Sequence, residues 1–264
     1  MRPIHSNELA ALKTNIYNYI QNKVQQGTKM IAALIDPDKN DERSLSRILP
    51  YCEEAKIDFL FIGGSLLVRD RLEFTLDFIK NHSNLPCILF PGSVMQISSK
   101  ADAILFLSLI SGRNPELLIG NHVIAAPYIY EAGLETISTG YMLIHCGNYT
   151  TAHYMSGCMP IPSNKYEIAA MTALAGQMLG MKLIYMDGGS GAAHPIEPGM
   201  IATVRKIIQI PIVVGGGIRT ETQAKQAFEA GADVIVVGNA LESSPELLID
   251  LGKLKRSYSS NPVN

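Results

Sequence analysis

The chain has 264 residues, of which 47% are hydrophobic and 17% charged, a composition that supports a large buried core and excludes a disordered protein. Its net charge of −2 lacks the positive excess that nucleic-acid binding requires. No apolar run approaches the roughly 18 residues that span a bilayer, and residues 1–11 lack the apolar core of a signal peptide, so we expect a cytoplasmic protein without a transmembrane segment.

The chain begins with a predicted helix, for which Asn7 is the expected cap. Apolar residues, including Ile16 and Ile20, recur at helical spacing until Gly27. Eight short apolar runs follow. They are continuous rather than alternating, which is typical of parallel strands covered on both faces. The runs lie at residues 29–35, 58–62, 87–90, 103–107, 141–144, 183–186, 212–214 and 234–237.

Segments with helical period separate several of these strands. Residues 166–179 predict a helix that ends at Gly180, and its apolar stripe consists of Ile168, Met171, Ala175, Met178 and Leu179. A second helix begins at Thr220 with a capping box to Gln223. Residues 94–102, between the third and fourth strands, leave room for only a short helix.

This alternation of strands and helices predicts either a doubly wound sheet or a barrel. Eight strands without a break in composition favour the barrel. We therefore expect an α/β fold of the modified TIM (β/α)8 type, with an extra N-terminal helix and one reduced outer helix, as a single domain over residues 1–264.

Acidic and hydroxyl side chains follow several predicted strands, at the end where such barrels form their active sites. Asp36 and Asp38 follow the first strand, Ser65 the second and Asp187 the sixth. Carboxylate oxygens suit Mg²⁺, which typically uses one or two protein ligands together with substrate phosphates. Asp36 is therefore a candidate ligand and Ser65 a further one. A helix cap is the alternative interpretation of the first of these segments.

Glycine clusters end the last two strands, as Gly215-Gly216-Gly217 and Gly238-Asn239. Residues without a Cβ let backbone N–H groups approach an anion closely, and the helix from Thr220 would add the positive end of its dipole. A third small-residue loop follows Asp187. These loops predict a phosphate site, whereas tight turns are the alternative interpretation.

Taken together, these motifs resemble the geranylgeranylglyceryl phosphate synthases and the related heptaprenylglyceryl phosphate synthases. The shared segments are A-L-I-D-P-D-K at 33–39, G-G-S at 63–65, Y-M-D-G-G-S-G-A at 185–192, V-G-G-G-I-R at 214–219 and V-G-N at 237–239. The resemblance implies a Mg²⁺-dependent prenyltransferase of ether lipid synthesis. Such an enzyme joins geranylgeranyl diphosphate to the C3 hydroxyl of sn-glycerol 1-phosphate, and we expect it to be a homo-oligomer.

The resemblance also assigns residues to roles. Asp36 and Ser65 would hold Mg²⁺ near the leaving pyrophosphate, and Asp187 would orient or deprotonate the attacking hydroxyl. The acid is Glu in archaeal members of the family, so Asp187 is one methylene shorter. The residues that would bind sn-glycerol 1-phosphate are Tyr185, Met186, Asp187, Gly188, Gly189, Ser190, Gly191, Gly216, Gly217, Gly238 and Asn239.

A prenyl donor also requires an apolar trough. Its candidate residues, between the second and fifth strands, are Leu66, Val94, Met95, Ile110 and Tyr128. The principal alternative function is a phosphosugar isomerase or lyase on the same phosphate-binding barrel. It would need a paired acid and base or a Schiff-base lysine, and Lys182 begins the sixth strand, at the wrong end for catalysis.

Overall fold

The computed structural model describes residues 15–69 and 71–259. Eight parallel strands follow one another around a closed barrel in chain order, and the eighth pairs with the first. The predicted barrel is confirmed. Its strands are β1 Met30–Ile35, β2 Phe59–Ile62, β3 Cys87–Leu89, β4 Ala103–Leu109, β5 Glu135–Leu143, β6 Leu183–Asp187, β7 Ile212–Gly215 and β8 Val234–Val237.

The helices surround this barrel, with one gap. They are α1 Ile16–Gln25, α2 Glu42–Ala55, α3 Leu72–His82, α4 Asn121–Ala132, α5 Thr151–Ser156, α6 Tyr166–Met178, α7 Pro198–Ile207, α8 Glu221–Glu229, α9 Asn239–Ser243 and α10 Leu247–Ser259. A π-helical turn, Glu116–Gly120, leads into α4. Between β3 and β4 the chain forms turns and bends without a helix. The expected reduced outer helix is therefore absent between β3 and β4, although the outward-facing Cys87, Leu89 and Ile104 of these strands are buried.

The first helix, α1, closes the N-terminal end of the barrel. Asn15 caps it, and the Glu135 carboxylate at the start of β5 accepts hydrogen bonds from the N–H groups of Ile16 at 2.6 Å and Tyr17 at 2.9 Å. Ile16 and Ile20 are buried among the inward-facing strand residues. The predicted cap, Asn7, lies outside the described residues.

Side-chain alternation along the strands decides which residues reach the mouth at the C-terminal end. In β6, Tyr185 belongs to the inner cluster and Met186 to the outer one. Asp187 therefore returns to the inside. Leu34 of β1 also faces inward. The same alternation therefore directs Asp36, two residues later and directly after the strand, to the inside.

The apolar stripe predicted as the buried face of α6 is instead exposed. Met171 is 51% exposed and Met178 is 77% exposed, whereas the residues that face the barrel are Ala169, Ala170, Ala173 and Gly176. The cause is that Gly140 of β5 and Gly176 of α6 both pack against the same side chain, that of Ile184. A Cβ on Gly140 or Gly176 would meet the Ile184 side chain at 2.7 Å or 2.9 Å. The face with the smallest side chains is therefore the one that packs.

Two other predictions need correction. Strand β5 begins at Glu135, six residues before the predicted start at 141. Those six residues, E-T-I-S-T-G, are largely polar, so they lack the apolar signal on which the prediction depends. The capping box of α8 is only half formed. Thr220 accepts from the Gln223 N–H at 3.2 Å, but Gln223 Oε1 accepts from the N–H of Arg219 rather than that of Thr220.

Candidate active site

A cavity of about 320 Å³ opens at the C-terminal end of the barrel, and the loops after β1, β2, β6, β7 and β8 form most of its wall. We call it the mouth cavity. Most of the predicted site residues line it. They are Asp36, Ser65, Tyr185, Asp187, Gly189, Ser190, Gly191, Gly216, Gly217, Gly238 and Asn239.

Two predicted site residues do not line this cavity. Met186 is fully buried in the outer core because it occupies the outward position of β6. Gly188 donates its N–H to the carbonyl of Gly215 at 3.0 Å, so that group is not available to an anion. Both residues therefore support the loop after β6 from the side that faces away from the cavity.

Asp187 lies at the base of the mouth cavity, only 6% exposed. Its Oδ2 accepts a hydrogen bond from the Tyr141 hydroxyl at 2.6 Å, and its Oδ1 accepts from the Gly189 N–H at 2.8 Å. Burial raises the pKa of Asp187, and these two hydrogen bonds partly oppose the rise. Nearby, burial raises the pKa of the Tyr185 phenol well above its ordinary value and that of the Cys146 thiol to about 12.

The three glycines after β7 serve different purposes. The Tyr185 ring packs directly over Gly215, where a Cβ would lie 2.6 Å from the phenol oxygen. Gly216 and Gly217 have φ of +84° and +76°, which favours glycine. No backbone hydrogen bond from either N–H is formed within the described chain. These amides are therefore available to an anionic oxygen.

A short helix that the sequence reading missed completes this side of the cavity. Gly238, Asn239 and Ala240, at the start of α9, line the cavity, whereas Thr220 does not. Arg219, which directly precedes Thr220, also lines the cavity, so the role of the α8 N-terminus stays a prediction beside that of α9. Ser190 Oγ donates to Asn239 Oδ1 at 2.8 Å and joins the loops after β6 and β8.

Across the cavity, Asp36 packs against the G-G-S loop. A Cβ on Gly64 would lie 3.0 Å from Asp36 Oδ1, so glycine is needed for this approach. The buried Gln96 side chain holds Gly64 by two hydrogen bonds, donating to its carbonyl at 2.9 Å and accepting from its N–H at 3.3 Å. Lys39 Nζ lies 3.9 Å from Asp36 Oδ2. Burial raises the pKa of Asp36 despite this neighbouring cation.

The residues around Asp36 fit Mg²⁺ better than a metal enclosed by protein ligands. Within the described ranges, no group of three or more His, Cys, Asp or Glu side chains could hold a metal ion. One carboxylate, with the Ser65 hydroxyl in the same cavity, suits Mg²⁺, which keeps several waters and shares its coordination with substrate phosphates. The helix-cap alternative belongs to Asp41, whose side chain accepts from the Ser44 N–H and caps α2.

An apolar groove of about 200 Å³ runs from the mouth cavity along the sector without an outer helix. Its wall includes the outward-facing Ile104 and Phe106 of β4 and Ala125 and Ile129 of α4. Of the five predicted trough residues, Val94 lines this groove and Leu66 lines the mouth cavity. Met95, Ile110 and Tyr128 line neither. Met95 and Tyr128 face outward from the surface, and Ile110 packs against Gly140 and Gly176.

The groove and the mouth cavity meet at four shared residues, Gly64, Ser65, Phe90 and Tyr141. The Phe90 ring stacks on Tyr185 with centroids 5.0 Å apart, and Tyr141 meets both rings edge-on at 5.8 and 5.5 Å. A polar compartment and an apolar one therefore share an aromatic boundary beside Asp187. This arrangement suits a reaction between a phosphorylated alcohol and a long apolar donor.

Comparison with known proteins agrees with this geometry. Residues 23–253 match the PcrB family. The chain belongs to that family. It is 48% identical to the geranylgeranylglyceryl phosphate synthase of Spirosoma linguale, over 90% of this chain and 95% of that protein. It is 43% identical to that of Thermococcus gammatolerans, over 87% and 90%.

A solved structure extends the comparison to the fold. It is the (S)-3-O-geranylgeranylglyceryl phosphate synthase of Thermoplasma acidophilum in complex with its substrate sn-glycerol 1-phosphate. The TM-score is 0.87 at 32% identity, with 92% of this chain and 99% of that chain covered. The resemblance inferred from the motifs is confirmed.

Sequence reasoning missed two residues that shape this site. Tyr141 was interpreted only as the start of a strand, although its position two residues before Leu143, which pairs with Asp187, turns it to the same inner side. Gln96 carried one available signal, since it is a polar side chain among the apolar residues Met95 and Ile97. Neither contact follows from spacing alone.

Proposed function

We propose that the protein is a prenyltransferase that joins geranylgeranyl diphosphate to the C3 hydroxyl of sn-glycerol 1-phosphate and releases pyrophosphate. The observation that carries this proposal is the junction of the mouth cavity and the apolar groove beside Asp187. The curated names of the relatives support the same reaction.

In the proposed complex, the phosphate of sn-glycerol 1-phosphate binds the N–H groups of Gly216 and Gly217 and the amide of Asn239. The glycerol C3 hydroxyl then points toward Asp187 at the junction. Asp187 is the general base, and its raised pKa brings it closer to the range in which a carboxylate accepts a proton effectively. The prenyl chain lies in the apolar groove with its diphosphate near Ser65.

Asp36 and Ser65 would hold Mg²⁺ on the diphosphate. The ion supplies neutralisation of the negative charge that develops on the leaving pyrophosphate. The rings of Phe90 and Tyr185 face the place where the donor carbon gains cationic character. Aromatic faces attract cations, by about 0.5–2 kcal/mol. Positioning and electrostatics then supply most of the acceleration.

No observation favours the phosphosugar isomerase or lyase. Lys182, the lysine considered for a Schiff base, donates to the Thr136 carbonyl at 3.4 Å and lies over the Tyr17 ring, at the end of the barrel that α1 closes. It is therefore remote from the mouth cavity.

We further propose a homo-oligomer in the cytoplasm. The apolar stripe that α6 and its cap residue expose supports the association. Its residues are Ile168, Met171, Ala175, Met178 and Leu179. A Met178→Glu variant should dissociate the oligomer in light scattering, and an unchanged mass would exclude this face. Among residues 15–69 and 71–259, no helix is long and apolar enough to cross a membrane.

The function is tested by incubating purified protein with sn-glycerol 1-phosphate and geranyl, farnesyl, geranylgeranyl or heptaprenyl diphosphate. We expect an organic-extractable ether phosphate and stoichiometric pyrophosphate, with geranylgeranyl diphosphate the best donor. sn-Glycerol 3-phosphate serves as the enantiomeric control. EDTA should stop turnover and added Mg²⁺ should restore it. Absence of product from every donor would refute the proposed function, and turnover indifferent to EDTA would refute the role of Mg²⁺.

A further inference from the structure

Each carboxylate oxygen of Asp187 already accepts one hydrogen bond. One accepts from the Gly189 N–H and the other from the Tyr141 hydroxyl. The side chain is almost fully buried, so it offers little free surface to a substrate hydroxyl. A general base in this position needs either an open lone-pair direction or a second group that extends its reach.

Tyr141 is more exposed than Asp187 and, unlike Asp187, lines both cavities. It is half-buried rather than buried, and its ring forms part of the wall of both the mouth cavity and the apolar groove. Its single phenolic proton is directed to Asp187, so the lone pairs of its oxygen remain able to accept a proton from another hydroxyl. Of the pair, Tyr141 is the member at the point where the two proposed substrates would meet.

We propose that Tyr141 is a further catalytic residue, which relays the proton of the glycerol hydroxyl to Asp187. This inference rests on the proposed function. The glycerol C3 oxygen bonds to C1 of the prenyl donor, and the bond between C1 and the diphosphate oxygen breaks, with its electron pair leaving on pyrophosphate. The hydroxyl proton passes to Tyr141 Oη as the phenolic proton passes to Asp187 Oδ2. Tyr141 ends neutral and Asp187 ends protonated.

A relay through Tyr141 explains why the carboxylate of Asp187 can act from a short side chain at the base of the cavity. The aspartate needs to reach only the tyrosine, which it contacts at 2.6 Å, and the tyrosine packs edge-on against the stacked rings of Phe90 and Tyr185. The titratable groups that face Asp187 are Tyr141, Tyr185 and Cys146, and only Tyr141 donates a hydrogen bond to its carboxylate in the described structure.

The test compares Tyr141→Phe, Asp187→Asn and the double variant. We expect each single variant to lower kcat by about 10²- to 10³-fold with KM for sn-glycerol 1-phosphate within about threefold of wild type. The double variant should be no slower than the slower single one, because the two residues act as one unit. A further tenfold loss in the double variant would show that Asp187 reaches the substrate without Tyr141 and would overturn the relay.

Tyr19→Phe is the matched control, because Tyr19 donates to Asp58 Oδ1 at 2.8 Å at the opposite end of the barrel. It removes an equivalent tyrosine–aspartate bond and should leave kcat unchanged. Calorimetric binding of sn-glycerol 1-phosphate verifies that Tyr141→Phe is folded. Wild-type protein that transfers no prenyl group would refute the proposed function, whereas active wild type with an equally active Tyr141→Phe variant would refute only the relay.

Discussion

The hydroxyl of Ser190 donates a 2.8 Å hydrogen bond to Asn239 Oδ1 and joins the loops after β6 and β8 across the turn that follows β7. The bond fixes the Asn239 amide with its oxygen toward Ser190. Its two N–H donors are then left for a ligand oxygen. Three separate strand ends thereby contribute to the proposed phosphate site.

Asn239→Ala should weaken this phosphate site. A hydrogen bond to a charged group contributes about 1.5–3 kcal/mol, so we expect KM for sn-glycerol 1-phosphate to rise by about ten- to a hundredfold. Ser190→Ala should give a smaller rise, since it removes only the support. Steady-state kinetics with each substrate varied in turn provides the check. KM for the prenyl diphosphate is the internal control, and an equal rise in both values would contradict the assignment.

Gly217→Ala should disrupt the proposed phosphate site, whereas Gly180→Ala should not. The two glycines have φ of +76° and +83°, so both variants carry the left-handed penalty of about 1–2 kcal/mol. A Cβ on Gly217 would also meet the His194 carbonyl oxygen at 2.4 Å, and a Cβ on Gly180 meets nothing within 4 Å. Thermal unfolding should show a loss in both. Binding of sn-glycerol 1-phosphate by calorimetry should be lost in Gly217→Ala alone.

Asp36→Ala should abolish most of the Mg²⁺-dependent turnover and leave the barrel folded. A metal that neutralises a leaving group contributes several kcal/mol, so kcat should fall by at least about 10²-fold. Asp41→Ala is the matched control, because Asp41 only caps α2. It should lower the melting temperature without changing kcat. Turnover of Asp36→Ala near the wild-type rate, measured across a Mg²⁺ titration, would exclude Asp36 as a ligand.

Asp187→Asn should lower kcat by about 10²- to 10³-fold and stabilise the folded protein at pH values above the raised pKa of Asp187. Because burial raises the pKa of Asp187 in the folded state, that state binds more protons than the unfolded chain between the two pKa values. Stability contributed by this group therefore falls as pH rises through that window. The Asn variant should lose this dependence, as seen in urea unfolding at a series of pH values. For the wild type, the pKa of the acid limb in the pH profile of kcat/KM should lie above the ordinary range for aspartate.

Ala125→Leu should shorten the preferred donor. Ala125 lines the apolar groove from α4, away from the residues shared with the mouth cavity, so three added carbons occupy space meant for the far part of the tail. The ratio of kcat/KM for farnesyl over geranylgeranyl diphosphate should rise by about tenfold or more. Ala126→Leu places the same side chain on the exposed face of α4 and should leave the ratio unchanged. Equal ratios in the two variants would show that the tail does not follow this groove.

Much of the architecture was predictable because parallel strands covered on both faces are continuous apolar runs. The rim residues, Asp36, Ser65 and Asp187, could be grouped because the C-terminal ends of parallel strands meet at one edge. The Tyr141 contact could not be predicted, since it depends on the register that sets Tyr141 opposite Tyr185 and Leu143 opposite Asp187. Helix α9 has five residues, too few for a periodic signal.

The buried face of α6 shows a different limit. Its apolar side chains were correctly placed on one stripe, but hydrophobicity does not encode how closely two elements approach. The side chains of Ile110, Met181 and Ile184 leave no room for a Cβ at Gly176 or Gly140, so small residues of α6 face the barrel and the larger apolar ones face outward. A pattern of this kind distinguishes a helix from a strand without identifying its buried side.

The missing helix between β3 and β4 has a consequence for how the empty and loaded proteins differ. In a complete barrel, an outer helix would follow β3 and fill space beside the apolar groove. Here, under the proposed function, the hydrocarbon of the donor fills that groove and packs against Ile104 and Phe106 during each catalytic cycle. The donor is then both a reactant and a temporary part of the packed apolar surface. The ether product leaves along the groove without crossing the barrel interior.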